Sequence, residues 1–200
     1  MIRGGMIRKT LAVLLAVIIG LLGMAAMKPD SFAVTRSATI EAPPAQVLAL
    51  VSDLRRWRSW APWEARDPGM QRSFSGAASG TGAIYSWAGK RLAGSGRMEI
   101  TDMAPGAKVV IKLDLMAPLE TSGTTAFYAV PQGAATLLTW TVYGPMPLRV
   151  KVLSVFAGMD RLLGKEIEQG LARLKSAAEG QARARELMTR ATAYDKIIVR

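Results

Sequence analysis

The side chains that most often carry out chemistry in proteins are scarce in this sequence. Its 200 residues include no histidine and no cysteine, so the usual general base, the commonest metal ligand and the thiolate nucleophile are missing. The polar groups left to polarise a carbonyl or steer an enolate are Tyr85, Tyr128, Tyr143, Arg97 and Glu99. No recognisable motif places them around a nucleophile. The sequence therefore leans against an enzyme without excluding one.

Metal and cofactor sites are not indicated either. The acidic residues of 29–150 are scattered without the loop spacing of a calcium site. The glycines at 76–82 and 94–96 lack the spacing of a phosphate-binding loop and lead into strands rather than helices. We therefore predict no metal site and no cofactor.

One stretch, residues 54–64 (LRRWRSWAPWE), places Trp57, Trp60 and Trp63 among arginines. Such a mixture is typical of a surface on which nucleobases stack, of a belt at a membrane interface, and of the cover of an apolar cavity. Indole rings also fill ordinary protein cores. The residue types alone do not choose among these interpretations.

The N-terminal residues predict a membrane segment. Residues 1–9 are basic and residues 10–27 are uncharged, and a helix over that run reaches roughly 27 Å, close to the thickness of the bilayer hydrocarbon. Because the basic residues should stay in the cytoplasm, we expect a single-pass anchor in the inner membrane with the domain on the periplasmic side. The alternative is a signal peptide cleaved near residues 23–25 or 31–33, which would release a secreted protein.

The net charge of +11, from 26 basic and 15 acidic residues, invites a nucleic-acid interpretation. The charges are dispersed, however, and contain no block of five or six like charges. Dispersed basicity suits an anionic membrane surface equally well, and an exported domain would not meet cytoplasmic DNA or RNA. We therefore predict no nucleic-acid partner, and we expect the arginines of 54–64 to face lipid headgroups. The basic tail at 181–200 is expected either to do the same or to be a solvated extension of a helix, which is the commoner case.

Hydrophobic periodicity predicts one α+β domain over residues 32–180. Residues 32–41 alternate as a strand, and residues 45–54 place apolar side chains on one helical face, with Pro62 ending any helical continuation. Period-two patterns separated by Gly and Pro turns then predict an antiparallel meander of five or six strands. These strands are expected at 71–75, 83–88, 92–102, 109–116, 124–130 and 136–143.

The last part of the domain predicts a long amphipathic helix. Between Phe156 and Ala178 apolar residues recur every three or four positions, with charged residues opposite. A curved sheet is the natural surface to accept one apolar stripe. The basic tail at 181–200 is expected to lie beyond this packed helix.

Five segments carry a resemblance to a known family. They are ATIEAPPAQVLALVSDLRRWRSWAPW (38–63), GTGAIYSW (80–87), GSGRMEI (94–100), LLTWTVYG (137–144) and EIEQGLARLK (166–175). In this order they resemble the polyketide cyclase/dehydrase branch of the SRPBCC, or START-like, superfamily, in particular its membrane-anchored bacterial members. The resemblance implies the helix-grip fold, in which a curved antiparallel sheet wraps around a long C-terminal helix. It does not fix a reaction, because the superfamily includes lipid carriers, ligand binders and aromatase/cyclases.

The resemblance also implies a tapered apolar cavity between the sheet and the long helix, which the tryptophan segment would cover. Strand alternation and the helical stripe nominate the apolar side chains that could line it, and ordinary core packing explains each of them equally well. These candidates are Trp57, Trp60, Trp63, Tyr85, Trp87, Met98, Ile111, Leu113, Phe127, Trp140, Met159 and Leu163. Arg97 and Glu99 are expected on the solvent side, and would become a buried polar pair only if the register were inverted.

These observations lead to one leading interpretation of function and two alternatives. The leading one is an exported, membrane-anchored module that binds a hydrophobic or amphipathic small molecule, lipids included, without chemistry. The first alternative is a polyketide cyclase/dehydrase-like enzyme acting on a hydrophobic substrate. The second is a structural or interaction domain whose groove is filled by its own side chains.

Overall fold

The computed structural model describes residues 2–90, 94–117, 120–156 and 158–198. The helices are α1 (Ile2–Ala26), α2 (Pro44–Ser52), α3 (Pro62–Arg66), α4 (Leu148–Phe156) and α5 (Met159–Ile198), and a 3-10 helix spans Leu54–Ser59. The strands are β1 (Ser31–Ile40), β2 (Gln71–Gly76), β3 (Ala83–Ala88), β4 (Ser95–Ala104), β5 (Lys108–Ala117), β6 (Thr121–Gln132) and β7 (Ala135–Pro145).

All the strands belong to one antiparallel sheet of seven strands, in the order β1-β7-β6-β5-β4-β3-β2. Strands β2 to β7 follow one another along the chain, so the predicted meander is confirmed, and β1 joins it by pairing with β7. The sheet curves where β4 changes register after Ser95 and after Ile100. On β6 and β7 a Cβ on Gly144 would lie only 3.0 Å from the Cα of Gly123, a close approach of two backbones that glycine permits.

Helix α5 packs against the concave face of this sheet and completes the predicted helix-grip fold. Its stripe of apolar side chains is buried in the core and consists of Ile167, Leu171, Leu174 and Ala178. Arg36 of β1 connects the sheet to the start of α5, because its guanidinium donates to Asp160 at 2.8 Å and to Glu168 at 2.7 Å. These two carboxylates hold the pKa of Arg36 above its ordinary value.

One helix boundary differs from the sequence expectation. The segment before α5 forms a separate helix, α4. Helix α5 itself continues to Ile198, so the described part of the basic tail, 181–198, is a helical extension of α5, one of the two expectations for it. Continued helix is reasonable there, since the tail is rich in Ala and Arg, which favour helices.

The tryptophan segment is also more helical than expected. The 3-10 helix Leu54–Ser59 runs through its first half, and the Asp53 carboxylate accepts the backbone N–H of Arg55 at the helix start. The 3-10 helix ends before Pro62, as expected. Pro62 also begins α3, because proline is pre-organised for the first turn of a helix. These two short helices fold the segment back over the sheet.

Helix α1 contains one stretch, Arg8–Ala26, that is long and apolar enough to cross a membrane. Most of its side chains are exposed, which differs from a core helix of a soluble domain. A single-pass anchor and a signal sequence share these properties. The end of α1 packs against α4, and Ala25 is fully buried there.

Candidate ligand groove

Side chains on the concave face of the sheet form rows that run across the strands. One row joins Val109, Phe127, Trp140 and Arg36, and the next joins Ile100, Ile111, Thr125, Val142 and Val34. A third row joins Met98, Leu113 and Gly123. The alternation predicted from the sequence is therefore present, and it directs the apolar positions toward α5 and the tryptophan segment.

Four aromatic rings, which we call the aromatic core, fill the middle of the groove: Trp57, Trp60, Phe127 and Trp140. The Trp57 and Trp60 rings lie 4.6 Å apart between centroids, and Trp60 meets Phe127 at 6.2 Å and Trp140 at 5.8 Å. The indole N–H of Trp57 donates to the backbone carbonyl of Val51, and that of Trp60 donates to the backbone carbonyl of Leu50. Such edge-to-face contacts with satisfied polar atoms are typical of a well-packed interior.

This packing decides what the first two tryptophans can touch. Trp57 is 0% exposed and Trp60 1% exposed, so neither ring can stack on a nucleobase or lie at a membrane interface without rearrangement. The neighbouring arginines make local contacts: Arg55 donates to the Ala78 carbonyl and covers the ring of Phe74, while Arg56 pairs with Asp53. The segment therefore acts as an inner wall rather than as an outer surface.

Trp63 differs from the other two tryptophans of the segment. It is half-buried and packs on Trp57 with ring centroids 5.6 Å apart. Its Nε1 is buried, yet finds no hydrogen-bond partner within the described part of the chain. A buried donor without a partner costs free energy, so this N–H marks a position where an acceptor from outside the described chain would be favoured.

The groove is less well filled at one end, which we call the open end. Here the concave face carries Leu113, Leu115, Val142 and Phe32, and α5 contributes Met159 and Leu163. All of these side chains pack against the core but remain half-buried. This end lies where β1 begins and β7 and β5 finish. Apolar surface at the open end is therefore partly exposed to water. Farther along the sheet, the aromatic core covers the same concave face.

A buried polar cluster of Glu64, Arg72 and Tyr85 lies beside the aromatic core. Glu64 is only 5% exposed; one carboxylate oxygen accepts the Tyr85 hydroxyl at 2.5 Å, and the other accepts the Arg72 guanidinium at 2.7 Å. Arg72 also donates to the backbone carbonyl of Met70. The cluster joins α3 to β2 and β3 and compensates the buried charge.

Burial and the adjacent Glu64 carboxylate both raise the pKa of the Tyr85 hydroxyl well above its ordinary value. The phenol therefore stays protonated and donates a hydrogen bond rather than acting as a base. Both oxygens of Glu64 are already engaged by Tyr85 and Arg72. As it stands, the cluster positions three elements and offers no free general base.

The predicted candidates are distributed over this groove as follows. Trp57, Trp60, Tyr85, Trp87, Met98, Ile111, Phe127 and Trp140 belong to the buried core, and Trp63, Leu113, Met159 and Leu163 pack against it while half-buried. The ring of Trp87 lies directly over Gly96, where a Cβ would come within 2.5 Å of it.

The sequence analysis nominated Tyr85 and missed Glu64 and Arg72. The signal available was one carboxylate within the apolar stretch WAPWEA, whose partners depend on the pairing of β2 with β3.

Arg97 and Glu99 lie on the outer face of β4. They alternate with buried Gly96, Met98 and Ile100 and pair with each other at 2.6 Å. The inverted register, in which they would be buried, is not the one that forms. Their side chains are each about one-third exposed, as expected for ion pairs on the solvent side of a sheet.

Comparison with known proteins agrees with this architecture. The sequence profile of the family described as polyketide cyclase/dehydrase and lipid transport matches residues 31–179. The match begins at β1 and ends within α5, so it covers the complete helix-grip unit and leaves out α1. No curated protein sequence matches the chain.

Several solved structures share the fold at low sequence identity. The Zhui aromatase/cyclase from Streptomyces sp. R1128 superposes with a TM-score of 0.57 at 14% identity, over 77% of this chain and 97% of that one. Protein CV1439 from Chromobacterium violaceum gives 0.51 at 16% identity, over 76% of this chain and 99% of that one. A Bacillus thuringiensis protein gives 0.53 at 16% identity, over 74% and 98%. At these identities the likeness establishes the fold alone.

Proposed function

Because the chain belongs to the polyketide cyclase/dehydrase and lipid transport family, we propose that it binds a hydrophobic or amphipathic small molecule, lipids included, at the open end of its groove. In this proposal no reaction takes place, and neither a metal nor a cofactor is needed. Helix α1 holds the domain at the membrane, with the N-terminus inside and the domain on the outer side.

The observation that carries the proposal is the half-buried apolar surface of the open end. Leu113, Leu115 and Val142 continue the same concave face that is sealed by the aromatic core, and Met159 and Leu163 face them from α5. Covering apolar surface stabilises by about 25 cal/mol per Å², so an apolar chain that covers these side chains gains free energy. Beside the aromatic core, the buried Nε1 of Trp63 has no partner among the described residues, so a polar group that reached it would gain a hydrogen bond.

A cyclase or dehydrase-like enzyme is the alternative suggested by the family. It would have to use the Glu64–Arg72–Tyr85 cluster, whose polar atoms are already paired with one another. A catalytic role would require substrate binding to open these contacts. The binding interpretation needs no such change, and we therefore favour it.

A domain with a filled groove is the second alternative, and the aromatic core favours it. Trp57, Trp60 and Phe127 occupy the middle of the groove with almost no exposure. If the open end collapses in solution as well, the groove holds only its own side chains. The two interpretations differ in whether a ligand occupies the open end.

The test uses the full chain purified from membranes in mild detergent, with bound lipids counted by native mass spectrometry. Leu113→Trp should fill the open end and lower ligand occupancy several-fold. Lys112→Trp is the matched control, because Lys112 is the preceding residue on the opposite, outer face of β5. Lipids that merely surround α1 are retained equally by both variants.

Equal occupancy in the two variants, or no bound molecule in the unsubstituted chain, would refute ligand binding and support the filled groove. Recovery of a chemically altered molecule in place of the supplied one would instead support the enzyme. Thermal unfolding of both variants checks that Leu113→Trp is folded.

A further inference from the structure

Helix α4 carries its polar and apolar side chains in an unusual arrangement. Its inward face contains Lys151 and Ser154 with Val150, and all three are buried. Its outward face carries Leu148 and Leu153, which are 55% and 54% exposed. A surface helix in water normally shows the reverse pattern, with apolar side chains inside and polar ones outside.

The polar atoms on the inward face are satisfied by local partners. Lys151 Nζ donates to the Asp30 carboxylate at 2.6 Å, and Ser154 donates to the Lys151 carbonyl at 2.8 Å. The Lys151 ammonium holds the pKa of Asp30 below its ordinary value. The Asp30 backbone carbonyl also accepts the N–H of Met146 at 2.7 Å. These bonds connect the inward face of α4 to the linker before β1, although the Asp30 side chain is itself exposed, and Leu148 and Leu153 lie on the other face of the helix.

The position of α4 indicates what covers that face. The linker after α1 leads directly into β1, and Ser31 at the start of β1 pairs with Pro145 at the end of β7, just before α4. Helix α4 packs against the end of α1. A helix that flanks the last turns of a membrane-crossing segment lies at the depth of the lipid headgroups and the first methylenes.

A second apolar side chain lies at the same end of the molecule. Met116, near the end of β5, is 59% exposed, and it borders the same cavity of about 750 Å³ as Pro147 and Arg149 at the start of α4. Arg149 is exposed and adds one cation to the outward face of α4. The described residues of α4 include no acidic side chain on that face. The cavity itself is lined by acids (Asp30, Asp114 and Glu120) as well as by bases (Lys112 and Arg149). The exposed leucines and Met116 at its rim are therefore the part of this surface that suits contact with lipid.

We propose that the bilayer surface, at the point where α1 enters it, is the partner of Leu148 and Leu153 of α4 together with Met116. This inference rests on the proposed role of α1 as an anchor. It also extends the proposed function, because the open end of the groove lies at the same edge of the sheet, where β1 begins and β7 ends. A ligand would then exchange between the groove and the lipid without crossing water.

The test places a fluorescent probe on α4 in the full chain, reconstituted in vesicles of phosphatidylethanolamine and phosphatidylglycerol. The chain has no cysteine, so Leu148→Cys and Leu153→Cys each give a single labelling site. Val130→Cys is the matched control, because Val130 is 54% exposed and lies near the opposite end of the sheet on β6. Lipids that carry a spin label near the headgroup quench only probes that reach the membrane.

We expect quenching at positions 148 and 153 to exceed that at position 130 several-fold. Equal quenching at all three positions would overturn the inference, whether α1 inserts with the domain held away from the bilayer or α1 does not insert at all. The quenching measurement does not depend on how much ligand the Leu113→Trp variant retains. If α4 contacts the bilayer but no ligand is bound, only the proposed function is refuted. If a ligand is bound but α4 does not contact the bilayer, only this inference is refuted.

Discussion

At the scale of single residues, the buried cluster of Glu64, Arg72 and Tyr85 joins three elements, α3, β2 and β3. Its ion pair has little access to water, since the two side chains are 3% and 12% exposed. A buried charge that loses its partner is strongly destabilising, whereas an exposed pair contributes little. The chain contains both kinds, because Arg97 and Glu99 form a pair on the outer face of β4.

We predict that Glu64→Ala lowers the free energy of unfolding by about 3 kcal/mol or more, because it leaves the Arg72 guanidinium uncompensated in the interior. Glu99→Ala should cost less than about 1 kcal/mol. Urea unfolding followed by tryptophan fluorescence measures both. Similar losses in the two variants would contradict the structural role assigned to the cluster.

At the scale of elements, the distance between α5 and the sheet depends on a glycine. Gly170 faces the ring of Trp140, and a Cβ at this position would lie 2.4 Å from the ring. Trp140 cannot easily move, because it is buried and its Nε1 donates to Thr125 at 2.6 Å. Gly180, ten residues later on α5, has no atom within 4 Å of its Cβ position among the described residues.

The two glycines should therefore respond to the same substitution with opposite signs. Gly180→Ala should stabilise by about 0.5–1 kcal/mol, because alanine is the better helix former. Gly170→Ala should destabilise by about 1–3 kcal/mol, because the overpacking against Trp140 outweighs the gain in helix propensity. Thermal and urea unfolding give the sign directly. Stabilisation by both variants would mean that α5 does not pack on Trp140 as closely as described.

At the scale of the whole molecule, α1 and α4 lie at the open end of the groove, where β1 begins and β7 ends. The tryptophan segment packs over the middle of the groove instead. The Trp57 and Trp60 rings are buried, while α4, which carries the exposed Leu148 and Leu153, packs against α1. If α1 is retained as an anchor, the membrane-facing side of the domain is therefore the α4 edge. The sequence analysis had considered the arginines and tryptophans of 54–64 for that contact. Trp57 and Trp60 are buried and have little opportunity for it, whereas Arg55, Arg56 and Arg58 are exposed.

We predict that the expressed chain sediments with membranes and stays there after high salt and alkaline carbonate, because residues 8–26 form an apolar helix of bilayer length. Mass spectrometry of the recovered chain should find its N-terminal residues present. A mature chain that lacks about the first 25 residues and is recovered from the soluble periplasm would instead identify a cleaved signal peptide.

The sequence by itself determined the element types and their order. Strand β3 forms over Ala83–Ala88 as predicted, because alternation and flanking glycines are local signals. The family resemblance, carried by segments such as GTGAIYSW, fixed the helix-grip arrangement. That Arg97 and Glu99 share one face of β4 also followed from the period of two, since every second side chain of a strand faces the same way; the sheet register decided that this face is the outer one.

Only the tertiary structure decided how full the groove is and which polar groups meet inside it. Glu64 finds Tyr85 across 21 residues and Arg72 across 8, and such pairing depends on sheet register and on the fold of α3 rather than on any local pattern. Whether Trp57 covers a cavity or fills it depends on the summed volumes of rings from the 3-10 helix, β6 and β7. The reversed faces of α4 were hidden for the same reason: a helix's periodicity reveals two faces, but only its neighbours determine which one points outward.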